Sequence, residues 1–293
     1  MIVRRTWALC YGLLCWLSAG LANAQTAPFN GTITDAHTGK GVPFANIGVV
    51  GKTVGTVADE QGHYQLPFVP ALAHDTVRIS SLGYAVQQLP LQQLAGHPSR
   101  QLLPAAVALA SVVVTSRNSF RRTHILGNTG DSDASANTLS ANDLGAQVGT
   151  IIHLAHHPAR VLTANFNIAR PATGTVTFRV NLYRLDSKGQ PTAEKLLARD
   201  VLLTSPLNKG TLTVDLRADN VVVDNDFLLA LEMLRWDGRT NPHAEVTFSA
   251  AVGYTNNQLY ARPASQADWT RTSIGAILAG MQPKISFFVL VQD

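Results

Sequence analysis

Three histidines within five residues, His153, His156 and His157, form the densest set of metal-ligating side chains in the chain. On a helix they would share a face. Pro158 and the strand that begins at Val161 instead predict a strand end and turn, where His153 and His157 face one way and His156 the other, so no metal is expected there. Asp131-Ser132-Asp133 and Asp224-Asn225-Asp226 are the oxygen-rich runs. In the first, Ala136 and Asn142 stand where a helix-loop-helix calcium site needs glycine and a bidentate glutamate, and the second reads as a solvated turn. Gly51-Lys52-Thr53 has the tail of a phosphate-binding loop, but Asn46 stands at its first glycine position and a β-type run follows it. No Gly-x-Ser-x-Gly elbow exists, and no His-x-x-Glu zinc pair. Of only four glutamates, Glu232 and Glu245 lie in strand runs and would project from one sheet, which keeps hydrolysis by paired carboxylates formally open. The chain is therefore read as non-enzymatic, with neither metal nor cofactor.

A binding or structural module is the leading reading, with a carbohydrate-binding accessory protein of a glycan uptake or degradation system as the alternative, and one surface bears on the choice between a ligand face and an ordinary solvated sheet face. Leu162, Ala164, Phe166 and Ile168 alternate with Thr163, Asn165 and Asn167. After the Pro171-Ala172-Thr173-Gly174 turn, Val176, Phe178, Val180 and Leu182 alternate with Thr177, Arg179, Asn181 and Tyr183. Two period-2 runs joined by a turn predict a hairpin with one buried and one wet face. The wet face would gather Asn165, Asn167, Arg179, Asn181 and Tyr183, a donor and acceptor surface suited to sugars. Trp236 and Trp269 stand beside loops where they would add aromatic contacts or cover the ends of the core. Because asparagine is a poor strand former, three of them on adjacent strands invite an explanation.

The elements that must carry these residues are all short. From Phe29 to Thr115, β-type runs at 32–34, 45–49, 56–57, 64–66, 77–80 and 112–115 alternate with glycine turns, which predicts a small antiparallel sandwich. Proline at 90, 98 and 104 limits the segment 89–103 to one helical turn. Residues 117–140 are basic, then small and polar, and read as a linker. Further strands at 211–216, 227–234, 245–252 and 285–291 predict a larger, jelly-roll-like sandwich over 141–293. The fold class is all-β, two antiparallel sandwiches in series.

The first 24 residues follow the order of a secretory signal: Arg4 and Arg5, an apolar run from Trp7 to Leu21, then Ala22-Asn23-Ala24 before Gln25. Fifteen residues rising ~1.5 Å each do not cross a ~30 Å hydrocarbon core, so cleavage between Ala24 and Gln25 is expected, with no transmembrane segment in the mature chain. Cys10 and Cys15, the only cysteines, leave with it. The mature chain then has neither disulfide nor thiolate. The formal charge of +4 in 293 residues falls to +2 with Arg4 and Arg5 gone, and the excess sits at Arg117, Arg121 and Arg122, which excludes nucleic acid as a partner.

Three segments carry a resemblance to a known family: Asn30-Gly31-Thr32-Ile33-Thr34-Asp35, Thr38-Gly39-Lys40-Gly41-Val42-Pro43-Phe44-Ala45-Asn46-Ile47, and Gly55-Thr56-Val57-Ala58-Asp59-Glu60-Gln61-Gly62-His63-Tyr64. With Ser80-Ser81-Leu82-Gly83-Tyr84 and 112–116 they resemble the carboxypeptidase regulatory-like domain. The resemblance implies a transthyretin-like, seven-stranded sandwich, common in envelope proteins of bacteria with an outer membrane. Together with the secretory signal it leads us to expect the protein in the periplasm, at the outer membrane or outside the cell, and the polar hairpin face makes a glycan or an envelope protein the expected partner. The C-terminal half resembles an uncharacterised β-domain that often trails this one, and borrows no activity from it.

Overall fold

The computed structural model describes residues 27–106, 120–132, 136–140, 142–238, 240–241, 243–253, 259–272 and 282–293. The cleavage site Ala24–Gln25 and the strand expected at 112–115 lie outside the described residues.

The first part is a seven-stranded sandwich: β1 (Pro28–Asp35), β2 (Asn46–Val49), β3 (Gly55–Val57), β4 (His63–Pro67), β5 (Thr76–Ser80), β6 (Gln87–Pro90) and β7 (Arg100–Leu102). Helix α1 (Leu91–Gly96) is the single turn-and-a-half that the flanking prolines permit. The sheets run β4-β1-β7 and β3-β2-β5-β6, and the core between them holds Ile33, Ile47, Leu66, Val77 and Ile79. One pairing departs from the antiparallel expectation: β1 and β7 are parallel, in register Ile33↔Arg100 to Asp35↔Leu102. The 59–62 turn forms as its residues require. Asp59 accepts the backbone N–H groups of Gln61 and His63, Gly62 takes φ +83°, and Val57 and Tyr64 on either side are buried.

The second part contains β8 (Thr123–Gly127), β9 (Ala136–Ser140), β10 (Gln147–Ile152), β11 (Ala159–Arg170), β12 (Ala172–Leu185), β13 (Pro191–Lys195), β14 (Val201–Leu207), β15 (Gly210–Asp215), β16 (Val222–Val223), β17 (Phe227–Asp237), β18 (Glu245–Gly253), β19 (Leu259–Arg262), β20 (Thr270–Arg271), β21 (Gln282–Ile285) and β22 (Phe287–Gln292). A seven-stranded sheet runs β13-β12-β17-β10-β19-β20, with β14 also on β12. It faces an eight-stranded sheet, β21-β18-β11-β22-β8, with β15 and β16 on β11 and β9 on β18. The chain alternates between the sheets as a jelly roll does. Phe178 from one sheet meets Phe248 from the other at 6.3 Å, and Phe248 stacks edge-on against Phe287 at 5.1 Å.

Two expectations change here. Residues 117–140 are not all linker: β8 pairs with β22 and β9 with β18, so the larger sandwich begins at Thr123. Polarity misled, because edge strands carry polar and small residues to stay soluble. More important, β11 and β12 are not a hairpin. They lie in opposite sheets, and the turn at 171–174 is the corner between them. Both apolar faces point into one core, Phe166 from one side and Phe178 from the other, which satisfies the alternation equally well.

Candidate functional site

The corner separates the residues expected to share a wet face. Asn165 and Asn167 lie on the outer face of β11, but both are buried. Asn165 donates to the Thr163 hydroxyl at 2.9 Å and accepts from Thr213 Oγ1 at 2.8 Å. Asn167 donates to the carbonyls of Thr129 and Gly130 and accepts from Thr211 Oγ1. Their amides tie the 128–130 segment and β15 onto the sheet. That answers why poor strand formers sit there, and leaves no donor for a ligand.

Arg179, Asn181 and Tyr183 are on the outer face of β12, and they too are buried, at 2%, 2% and 1% exposure. Pairing places Arg179 opposite Glu232 of β17, Glu232 opposite Gln147 of β10, and Gln147 opposite Arg262 of β19. One row of four polar side chains thus crosses four strands. Arg179 Nη1 donates to Glu232 Oε2 at 3.1 Å, and Asn181 donates to the same oxygen at 2.9 Å. Tyr183 donates to Gln147 Oε1 at 2.9 Å and accepts from Arg262 Nη2 at 2.8 Å. Asp200 Oδ1 lies 3.2 Å from Arg179 Nε and 3.8 Å from Lys195 Nζ.

The smaller sandwich covers this row. Arg179 Nη2 donates to the Phe44 carbonyl at 2.6 Å and Nη1 to Asn46 Oδ1 at 3.3 Å. Phe44 holds that carbonyl in place with φ +52°, a conformation that costs a non-glycine residue about 1–3 kcal/mol. Phe44, Val57 and Leu234 form a small apolar cluster between the two sandwiches. Beside it, glycine lets the backbones approach: a Cβ on Gly55 would stand 2.8 Å from Ala264 Cβ, and one on Gly48 3.1 Å from Gln266 Cβ. Gly51 N–H donates to the Gln266 carbonyl, and the Gln266 amide to Ser80. Each sandwich has its own core, and the two share a buried, hydrogen-bonded seam.

Three cations, Arg179, Lys195 and Arg262, surround two carboxylates, Glu232 and Asp200. Burial alone would raise the Glu232 carboxyl, but Arg179, Lys195, Arg262 and the Asn181 amide outweigh it and hold it below the usual carboxylate range. Burial, with Arg179 nearby, pushes the Lys195 ammonium down to about 8. Burial lifts the Tyr183 phenol to about 12 against the opposing pull of Arg262. Around the rim of this network opens a cavity of about 430 Å³, lined from the smaller sandwich by Arg78, Ser81 and Tyr84 and from the larger by Arg184, Lys195 and Asn225.

The tryptophans cover ends of the core. Trp236 is buried and donates to the Thr173 carbonyl at 2.9 Å, while Trp269 packs edge-on against Tyr183 under the Arg262 guanidinium at 4.3 Å. Glu232 and Glu245 do not project from one sheet: Glu232 is buried on β17, and Glu245 is exposed on β18 of the facing sheet. Both Asp226 oxygens are engaged, one by His153 and one by the Leu154 N–H. Gln147, Lys195, Asp200 and Arg262 were not singled out in the sequence. An arginine and a glutamate, at outward positions of β12 and β17, are the readable trace of the network.

No curated protein matches the chain. Among solved structures it is similar to the cysteine protease and lectin-like domains of Cwp84, a surface layer associated protein of Clostridium difficile. The match has 8% identity and a TM-score of 0.40, and covers 82% of this chain and 46% of that one. A second structure of clostridial cysteine protease Cwp84, after propeptide cleavage, matches at 6% identity and TM-score 0.42, covering 82% and 51%. The chain spans about half the length of these Cwp84 chains. The VP2 protein of infectious bursal disease virus matches at 10% identity and TM-score 0.27, covering 91% and 72%. No helix among the described residues is long and apolar enough to cross a membrane. The family model of the CarboxypepD_reg-like domain matches residues 29–114, and the smaller sandwich is a domain of that family.

Proposed function

We propose that the protein is a non-enzymatic, exported module of the cell envelope, and that it binds its ligand in the cleft between the two sandwiches. The observation that carries this reading is the cavity of about 430 Å³ whose walls come from both sandwiches at once. Its volume falls within the ~300–1,000 Å³ of small-ligand sites, and its walls mix arginine, serine, asparagine and tyrosine with apolar residues such as Leu82, Leu196 and Val222. Such a lining suits a ligand dense in hydroxyl groups, and a glycan is the class we favour. The separation of Glu232 from Glu245 and the burial of Glu232 speak against paired-carboxylate hydrolysis. The signal-like order of the first 24 residues supports export, and intact mass of the recovered protein is expected to begin at Gln25.

A polysaccharide array tests the ligand class. Wild-type protein is expected to be retained on at least one glycan, and Arg78→Ala with Asn225→Ala, both at the cleft, to abolish retention without lowering the melting temperature. Retention of no glycan by the wild type would refute the reading, and a contact with an envelope protein would replace it.

A further inference from the structure

The outer-face network and its cleft leave unused a second cluster at the far end of the last strand. Strand β22 pairs with β8 in register Val291↔His124, and the ladder continues through Asp293, whose backbone N–H donates to Arg122 O while Arg122 N–H donates back. His124 and Asp293 are therefore diagonal neighbours on one face, the face on which Val291 points into the core. His124 Nε2 stands 3.0 Å from Asp293 Oδ1. His156 reaches the same point from the connection between β10 and β11, its ring centroid 5.9 Å from that of His124. That connection is pinned by Asp226, which holds His153 and the Leu154 N–H.

We propose that His124, His156 and Asp293 form a binding site for a divalent transition metal of the zinc class. Their ligand atoms all lie within 4.8 Å of one another. Bonds of about 2.0–2.2 Å to a four-coordinate ion place ligand atoms about 3.3–3.5 Å apart, so the site closes by a small swing of the exposed His156 ring. A second observation points the same way. The Asp293 side chain is only 6% exposed, yet its Oδ2 has no hydrogen-bond partner. A buried carboxylate oxygen is costly when unpaired, and a cation satisfies it. Two imidazoles and one carboxylate select zinc, nickel, copper or cobalt over the all-oxygen coordination of calcium and magnesium, and leave a coordination position for water. The ion would join β8, the last strand and the β10–β11 connection. This set differs from the sequence cluster, of which it keeps only His156, and histidine 124 is too distant in sequence from Asp293 for spacing to reveal it.

Calorimetric titration of the untagged protein beginning at Gln25 with Zn²⁺, and the visible absorbance of Co²⁺ as a geometry probe, test the site. One ion per chain is expected, with a raised melting temperature. His124→Ala, His156→Ala and Asp293→Asn should each weaken binding at least about tenfold, while His157→Ala and His243→Ala should leave it unchanged. Asp293→Asn preserves shape, and near-ultraviolet circular dichroism of each variant separates lost ligation from lost fold. Failure of the wild type to bind Zn²⁺ at submillimolar concentration overturns the proposal. So does binding that survives Asp293→Asn and His124→Ala, or that depends on His157.

Discussion

Replacing Arg179 by methionine tests the buried network most directly. Its guanidinium is 2% exposed and its partner Glu232 is fully buried, so neither charge has water to fall back on. Methionine fills much of the space but leaves Glu232 without its nearest cation, and strips the Phe44 carbonyl and Asp200 of theirs. Breaking a buried ion pair from one side costs about 3–5 kcal/mol, a large share of the ~5–15 kcal/mol that holds a domain together. At about 2–4 °C per kcal/mol for a sandwich of this size, the melting temperature should fall by about 6–20 °C. Urea unfolding followed by circular dichroism gives the free energy. Glu232→Gln should cost a similar amount, since it leaves Arg179, Lys195 and Arg262 crowded together. The double variant Arg179→Met with Glu232→Leu should cost clearly less than the sum, because removing both charges also removes the desolvation cost. A single-variant cost below about 1 kcal/mol, the range of a solvated surface pair, would refute the buried network. The acid limb supplies an independent check. The Glu232 carboxyl titrates below its usual value in the fold, so its contribution is complete above the unfolded value near 4.5 and is lost as pH falls through the lower folded value. Glu232→Gln should flatten that limb.

Lys195 predicts the opposite limb: its folded value of about 8 lies below the unfolded 10.5, so the fold binds fewer protons and gains stability as pH rises from about 8 to 10. Lys195→Met should abolish the gain, and a flat wild-type profile over that window would contradict the assignment. Gly55→Ala places a methyl group 2.8 Å from Ala264 Cβ and should destabilise by ~1–3 kcal/mol, whereas Gly96→Ala, with nothing within 4 Å, should change stability by less than ~0.5 kcal/mol; equal effects would show that the seam is loose. Limited proteolysis should cut at Arg117 before Arg121 or Arg122, whose backbone N–H groups are bonded to Asp293, and the two fragments should co-elute in gel filtration because the seam holds them; early cleavage within 30–110 would contradict the boundary.

Much of the architecture was legible. Period-2 alternation located β11 and β12, and β-type runs located β15, β17, β18 and the last strand. The glycine turns located β1 to β5. Among the strands missed, β13 and β20 are short pieces whose polar residues read as loop, while β10, buried throughout between β17 and β19, carries no alternation to find. Alternation also cannot distinguish a hairpin from a sandwich corner. In both, the apolar residues of β11 and β12 face one core, and only pairing partners tell whether the strands are neighbours or opposite walls. The Pro171-Ala172-Thr173-Gly174 turn was equally compatible with either.

The site was half legible for a related reason. An outward face of asparagine, arginine and tyrosine reads as wet, since period 2 reports that a face differs from the core but not what lies over it. Here one such face lies under the smaller sandwich and the other under the 128–130 segment. What the composition did carry is the cost of burial. An arginine stands between Phe178 and Val180, and a glutamate between Leu231 and Met233, each flanked by residues that face the core. A wet sheet face tolerates a charge anywhere, but a charge on a covered face needs a partner of the other sign. Arg179 and Glu232 occupy directly opposed positions of neighbouring strands, and Lys195, beside them, is the cation whose ammonium is driven down.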